Sequence, residues 1–251
     1  MKISIITAVY NDARGICDTL KSVAEQDYQA IEHIVIDGAS TDSTVDAIRV
    51  HGQRVSRILS ERDGGVYDAF NKGLRLATGD AIGFLNSGDT YTSSGAVSRI
   101  VQCLHDSGVN AVFGDVLIVN ALDHAKVVRR FSSRSFSPAR MAYGLMPAHP
   151  TLYLRRQVYD RTGEFDTQFR IAGDFEFCLR AFVQRSTTYR YLPEALVRMP
   201  RGGLSNKGWR STWEITREMR LACSKNQIKT NWLKLCFRLP LRMIELLERS
   251  W

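Results

Sequence analysis

Along the first ninety residues, apolar positions alternate between short unbroken runs and spacings of three or four. Lys2 to Val9 is such a run, suited to a parallel strand buried on both faces. Ile16, Leu20 and Val23 then recur at helical spacing. Ile31 to Ile36 is a second strand, stopped by Asp37-Gly38-Ala39-Ser40, and Asp42 to Arg49 reads as a helix with Ser or Thr at hand as N-cap. Arg57 to Leu59 is a short third strand. Val66, Phe70 and Leu74 line one helix face, and Ala81 to Leu85 is a fourth strand.

Strand and helix in repeated alternation predict a doubly wound α/β sheet. Such sheets bind ligands beyond the carboxyl ends of their strands, at the crevice where strand order reverses. Asp37 and Asp89 both lie just past strand ends, so both are expected to face that crevice. The second half is more mixed. Ala111 to Val119 and Val127 to Phe131 read as strands, Pro147 to Leu154 contains another, and Asp174 to Val183 reads as a helix. The pattern contains no repeat or convincing linker. It predicts one continuous domain over residues 1–205, followed by a basic amphipathic extension over 206–251.

Charge sharpens that division. The chain of 251 residues carries a formal charge of +8, and from Arg198 to Trp251 there are 12 Lys and Arg against 4 Asp and Glu. The whole excess therefore sits in the last fifth, which points to an anionic partner there, membrane surface or nucleic acid. The hydrophobic fraction of 44% suffices for a full core, but no stretch reaches the roughly 18 to 20 apolar residues of a membrane span. The N-terminal run reads as a strand rather than a signal peptide, so a cytoplasmic protein is expected. Five scattered cysteines without CxxC, and five histidines without HExxH, predict neither a disulfide framework nor a zinc site.

The turn after the first strand, Ala8-Val9-Tyr10-Asn11-Asp12, has no glycine, so GxGxxG is absent; no GxxxxGK occurs either. Dinucleotide and P-loop readings lose their support. What stands at the strand ends instead is acid. A carboxylate there can accept from a nucleobase or ribose, or hold Mg²⁺ or Mn²⁺, which favour oxygen ligands and often bind through one or two carboxylates plus substrate phosphates. A departing diphosphate concentrates negative charge, and a bound cation offsets it.

Five segments now stand in order: "SIITAVYN" (4–11), "VIDGASTDST" (35–44), "DGGVYDAFNKG" (63–73), "FLNSGD" (84–89) and "AGDFEFCLR" (172–180). Together they closely resemble family 2 glycosyltransferases of the GT-A fold. The likeness covers residues 1 to about 205 and is strongest to bacterial enzymes that assemble colanic acid and related exopolysaccharides. It implies a mixed, Rossmann-like sheet of the nucleotide-diphospho-sugar transferase type, flanked by helices. It also implies an inverting transfer from a nucleotide-sugar donor, with UDP-sugars favoured over GDP-sugars, to a glycan or lipid-diphosphate-linked acceptor.

Residue by residue, the resemblance places Thr7 and Ala8 at the donor nucleoside and Asp37 on its base or ribose. Glu61 and Asp63 fall in the segment that closes over the nucleotide; Asn71 and Lys72 contact ligand or stabilise the following helix. Ser87-Gly88-Asp89 matches the DxD motif, with Asp89 as ligand of Mn²⁺ or Mg²⁺ and Ser87 where the first Asp usually stands. That departure removes a charge from the metal site. Asp174 matches the general base, with Glu176 secondary and pairing with Arg180 at i,i+4. His149 and Arg201 are candidates for the acceptor or the departing diphosphate, with Lys207 beside Arg201 on a Gly-rich stretch. In the tail, Trp232, Leu235, Phe237, Leu239, Met243, Ile244 and Leu247 interleave with Lys and Arg, and Pro240 breaks or kinks any helix. That pattern suits either peripheral contact with the anionic inner face of the cytoplasmic membrane or packing on protein. A nucleotidyltransferase is the rival enzyme, but the chain lacks a basic Gly-rich N-terminal loop. Nucleic-acid binding leaves the acidic crevice unexplained, so no nucleic-acid partner is expected.

Overall fold

The computed structural model describes residues 1–202 and 209–238. Four parallel strands build its first half: β1 (Ile3–Val9), β2 (Ile31–Asp37), β3 (Val55–Ser60) and β4 (Ala81–Phe84), in the order β3-β2-β1-β4. β1 and β2 lie inside the sheet and are buried on both faces, which is why they read as continuous apolar runs. Alternation then assigns their sides. Ile3, Ile5 and Val9 pack with Val23 and Leu20 of α1 (Ala13–Ala24), Ile48 of α2 (Thr44–His51) and Ile100 of α4 (Ala96–Ser107). Ile6 faces the opposite layer, with Phe70 of α3 (Val66–Leu76), Val158 of α5 (Arg156–Thr162) and Phe175 of α6 (Gly173–Cys178).

The second half turns the sheet mixed. β4 pairs antiparallel with β8 (Tyr153–Arg155), which pairs antiparallel with β6 (Ala111–Val119). β6 runs parallel to β9 (Tyr189–Pro200), whose far side pairs with the two residues of β5 (Thr90–Tyr91), while β7 (Val127–Phe131) pairs with β6. The expected strand within Pro147–Leu154 is shorter than its run, because a 3₁₀ turn occupies His149–Thr151 before β8 begins. The helix expected over Asp174–Val183 is α-helical only to Cys178 and continues as a π turn through Gln184.

β9 is a twelve-residue strand that the residue pattern does not announce. Pro193 interrupts it, but the register with β6 slips between Phe113 and Asp115, so the proline falls where no regular ladder bond is required.

Beyond residue 208, α7 (Trp209–Lys225) and α8 (Trp232–Cys236) follow. Ile215, Met219, Ala222, Cys223 and Leu235 enter the same core as Phe175 and Phe182. Lys207, Leu239, Pro240 and the rest of the tail to Trp251 lie outside the described residues. α7 also holds the entry to α6, because the Glu218 carboxylate accepts the backbone N–H groups of Arg170, Ile171 and Ala172 at 3.1, 2.9 and 2.8 Å. Glu218→Ala leaves those donors without their acceptor. It should lower unfolding free energy by about 2–3 kcal/mol, the scale of charged hydrogen bonds lost at a partly buried site; urea denaturation checks this.

Candidate active site

Three chain reversals meet at the carboxyl end of the parallel strands, and the one after β4 carries Asn86, Ser87, Gly88 and Asp89. Thr19 of α1 fixes this loop. Its hydroxyl accepts the Gly88 N–H at 3.0 Å and lies 2.8 Å from the Asp89 carbonyl to which it donates. Gly88 adopts φ +87°, a left-handed conformation in which a side chain would be strained. The loop thereby turns the Asp89 side chain inward, 5% exposed. No described residue gives that carboxylate a hydrogen bond or ion pair, and burial pushes it up to about 8. Beside it, the buried Asn86 Oδ1 also lacks a partner among the described residues.

Asp174 comes from the other side, in the first turn of α6. Its Oδ1 accepts the Phe175 N–H at 2.8 Å and lies 3.3 Å from Tyr67 Oη, which donates to the Ile171 carbonyl at 2.6 Å. Gly173 is required for this arrangement, since a Cβ there would stand 2.7 Å from the Tyr67 ring. Burial raises the Asp174 carboxyl above its ordinary value, opposed by His149, the Phe175 N–H and Tyr67. A raised carboxyl is a better proton acceptor once ionised. His149 lies flat against Phe70 and Phe84, with ring centroids 5.6 and 5.4 Å apart, and burial lowers its pKa against the pull of Asp174.

Both walls enclose one cleft of about 670 Å³. Among the residues expected at the site, Ser87, Gly88, Asp89, His149, Asp174 and Arg201 line it. Tyr67, Asp12, Arg14 and Arg170 line it as well. Of these additions, Arg14 and Arg170 had no motif to mark them, and Asp12 reads as an ordinary helix cap. The cleft thus combines the buried Asp89 and the partly buried Asp174 with the guanidinium groups of Arg14, Arg170 and Arg201, a charge distribution that suits a diphosphate held through a cation.

The remaining expected residues lie elsewhere. Thr7 is fully buried and its Oγ1 pairs with His33 Nε2 at 2.9 Å, on the same strand face as Ile5 and Val9; only its neighbour Ala8 is partly exposed. Asp37 is also fully buried. Its carboxylate accepts from the Ser40 N–H and hydroxyl and from Ser60 Oγ, ordering the turn after β2 rather than facing the cleft. That turn is tied to the one after β1, since Asn11 N–H donates to Ser40 Oγ and Thr41 N–H to Asn11 Oδ1, both at 2.8 Å. Asp63 approaches Gly38 so closely that a Cβ there would stand 2.6 Å from its Oδ2. Glu61 binds Lys72 at 2.9 Å, and Lys72 Nζ also donates to the Arg62 carbonyl at 2.6 Å, so this lysine fixes the loop before α3. Asn71 exchanges two hydrogen bonds with the Phe165 backbone. Glu176 pairs with Arg180 at 2.8 Å, away from the cleft, and accepts from Asn226.

Asp89 and Asn86 Oδ1, which line the cleft, offer oxygen, the donor chemistry of Mg²⁺ and Mn²⁺. These two groups, without a partner among the described residues, fit such a cation. No cluster of three or more His, Cys, Asp or Glu able to hold a metal occurs among the described residues. A cation held there would need further ligands, which substrate phosphates and water could supply.

The family model for glycosyl transferase family 2 matches residues 4–172. The chain is 36% identical over 184 residues to an uncharacterized glycosyltransferase of Mycobacterium tuberculosis, covering 71% of this chain and 68% of that one. It is 27% identical over 257 residues to a PGL/p-HBAD biosynthesis glycosyltransferase of Mycobacterium bovis, covering 99% and 90%. Its fold is similar to that of Staphylococcus aureus TarS 1–349 in complex with UDP-GlcNAc, with TM-score 0.71 at 19% identity over 95% of this chain and 72% of that one. It is also similar to the mannosyltransferase PcManGT from Pyrobaculum calidifontis, a complex with GDP-Man and Mn²⁺, with TM-score 0.66 at 20% identity over 99% and 70%.

The fold raises the Asp89 pKa, so it prefers the protonated acid. The stabilisation this brings is complete below the unfolded pKa near 4 and is lost as pH climbs to about 8. In EDTA-treated protein, the thermal midpoint of wild type should therefore fall relative to Asp89→Asn between about pH 5 and about pH 8. Adding Mn²⁺ at the upper pH should restore most of the loss. Parallel pH profiles would mean that the carboxylate has found a partner.

Proposed function

Since the chain belongs to glycosyl transferase family 2 and is a glycosyltransferase of the GT-A type, we propose that it inverts the anomeric centre as it transfers one sugar from a nucleotide donor. The acceptor is a glycan or lipid-linked sugar of bacterial polysaccharide assembly. The observation that carries this reading is that Asp89 and Asp174 line one and the same cleft. Asp89, with the oxygen atoms around it, would hold Mn²⁺ or Mg²⁺, and a bound cation would offset the charge that develops on the departing diphosphate. Asp174 takes the proton of the acceptor hydroxyl as that oxygen bonds to the anomeric carbon and the carbon–phosphate oxygen bond breaks. No described residue bonds to Oδ2 of Asp174, which leaves that atom to receive the proton.

On the donor side, Ala8, Glu61 and Asp63 border the nucleoside. Asp37 acts on it through the turn that it orders with Ser40. Arg201 faces the departing diphosphate and His149 the transferred sugar. A UDP-sugar is the favoured donor, with a GDP-sugar as the alternative, since complexes with donors of both kinds share this fold.

The face of α7 and α8 away from the core suits an anionic membrane surface. Trp213 and Leu233 are 54% and 84% exposed, Trp213 stacks on Trp232, and Arg217, Arg220 and Lys234 each lie over an aromatic ring. Aromatic rings carrying cations match the headgroup region of such a surface. No helix among the described residues is long and apolar enough to cross a membrane, so the contact would be peripheral.

Asp174→Asn should retain Mn²⁺-dependent thermal stabilisation by the donor while turnover falls by about 10²–10⁴. Asp89→Ala should lose that stabilisation. Near-native turnover in Asp174→Asn, measured by release of nucleoside diphosphate, would refute the base assignment. For the membrane face, the full chain should sediment with phosphatidylglycerol vesicles at low salt and less so after Trp213→Ser with Leu233→Ser. Equal sedimentation of both proteins, or none, would refute it.

A further inference from the structure

Ser87 occupies the place of an acid, yet the acid is not missing from the cleft. Ser87 Oγ donates to Asp12 Oδ2 at 2.7 Å, across 75 positions of sequence. We infer that Asp12 and Ser87 form one unit, which supplies from the loop before α1 the negative charge that residue 87 itself lacks at the cation and diphosphate subsite. The inference rests on the glycosyltransferase reading of this cleft and adds Asp12 to it as a positioning residue.

A serine hydroxyl has one proton and two lone pairs. By taking that proton, Asp12 leaves the oxygen of Ser87 to act as acceptor, polarised by a charge-assisted bond. Such an oxygen suits a cation-bound water or a ribose hydroxyl. Asp12 is itself locked in place. Its Oδ1 accepts the Gly15 N–H at 3.0 Å as the cap of α1, and its own N–H donates to Thr44 Oγ1 at 2.9 Å. A Cβ at Gly15 would collide with the Asp12 carboxylate, so glycine there makes the room it occupies.

Helix capping alone does not account for the pair. The cap uses Oδ1, whereas Oδ2 is turned to Ser87, and both residues line the cleft with Asp89 and Asn86. Those two neighbours provide the independent sign of a ligand: Asp89 is 5% exposed without a partner, and Asn86 Oδ1 is buried without one, among the described residues. The unit is thus a pair of oxygen groups beside two oxygen atoms that await an electropositive partner.

Asn caps a helix as well as Asp does, so Asp12→Asn keeps the cap and removes only the charge. Mn²⁺ binding, followed by the loss of the free-ion paramagnetic resonance signal, should be measured alone and with UDP or GDP. Asp12→Asn should weaken Mn²⁺ affinity by about 10- to 100-fold, the usual effect of losing an outer-shell partner, with an unchanged circular dichroism spectrum. Returning the carboxylate to residue 87, in Asp12→Asn with Ser87→Asp, should recover most of the affinity. Unchanged affinity in Asp12→Asn, or a double variant as weak as the single one, would overturn the inference while leaving the glycosyltransferase reading intact. Absence of Mn²⁺ binding in wild type under all three conditions would overturn both the inference and the cation reading on which it stands.

Discussion

A carboxylate largely removed from water without a partner costs several kcal/mol in its charged form, and Asp89, 5% exposed, has no partner among the described residues. The backbone must therefore be held more firmly than the side chain pulls against it. Thr19 supplies the hold: one hydroxyl bridges the N–H of Gly88 and the carbonyl of Asp89, joining the loop after β4 to α1. Because β4 lies beside β1 in parallel register, the loop and the helix reach the same end of the sheet. A cation bound there, as proposed, would supply the partner that the described residues do not.

Asp174 is held by different means. Its loop is gripped by Glu218 from α7, its ring neighbour Tyr67 comes from α3, and Gly173 allows the two to touch. The two acids so depend on opposite layers of the sheet, one on α1 and the other on α3 and α7. Movement of one layer against the other would alter their separation, on which the transfer proposed above would depend. Glu218 also ties the basic C-terminal segment to the chemistry. The helix that presents Trp213 outward fixes, on its inner side, the backbone before Asp174.

Much of this was legible in the residue pattern, for identifiable reasons. β1, β2 and β4 are buried on both faces and so read as unbroken runs, and Asp89 and Asp174 sit within ordered motifs. Thr7 and Asp37 mark where that reading stopped. Adjacency to a strand end says nothing about the side to which a residue points, and Thr7 shares the inward face of Ile5 and Val9. The period-two alternation of β1 carries that information. β9 was hidden by Pro193, which looks like a breaker until β6 provides a slipped register beside it. α4 did carry a signal, with Val97, Ile100 and Leu104 on one face before Gly108.

The sequence by itself determined the succession of strands and helices in the first half, the family, and the chemical kinds of group available, because burial pattern and motif spacing are local properties of the chain. Only the tertiary structure decided which acids share a cleft. Asp12 and Ser87 meet, Asp89 has no partner among the described residues, and Asp37 is engaged by Ser40 and Ser60, outcomes that depend on how the loops are packed together. A carboxylate's role follows from what stands within about 3 Å of it, and in this protein the packing of α1 against the loop after β4 sets that neighbourhood.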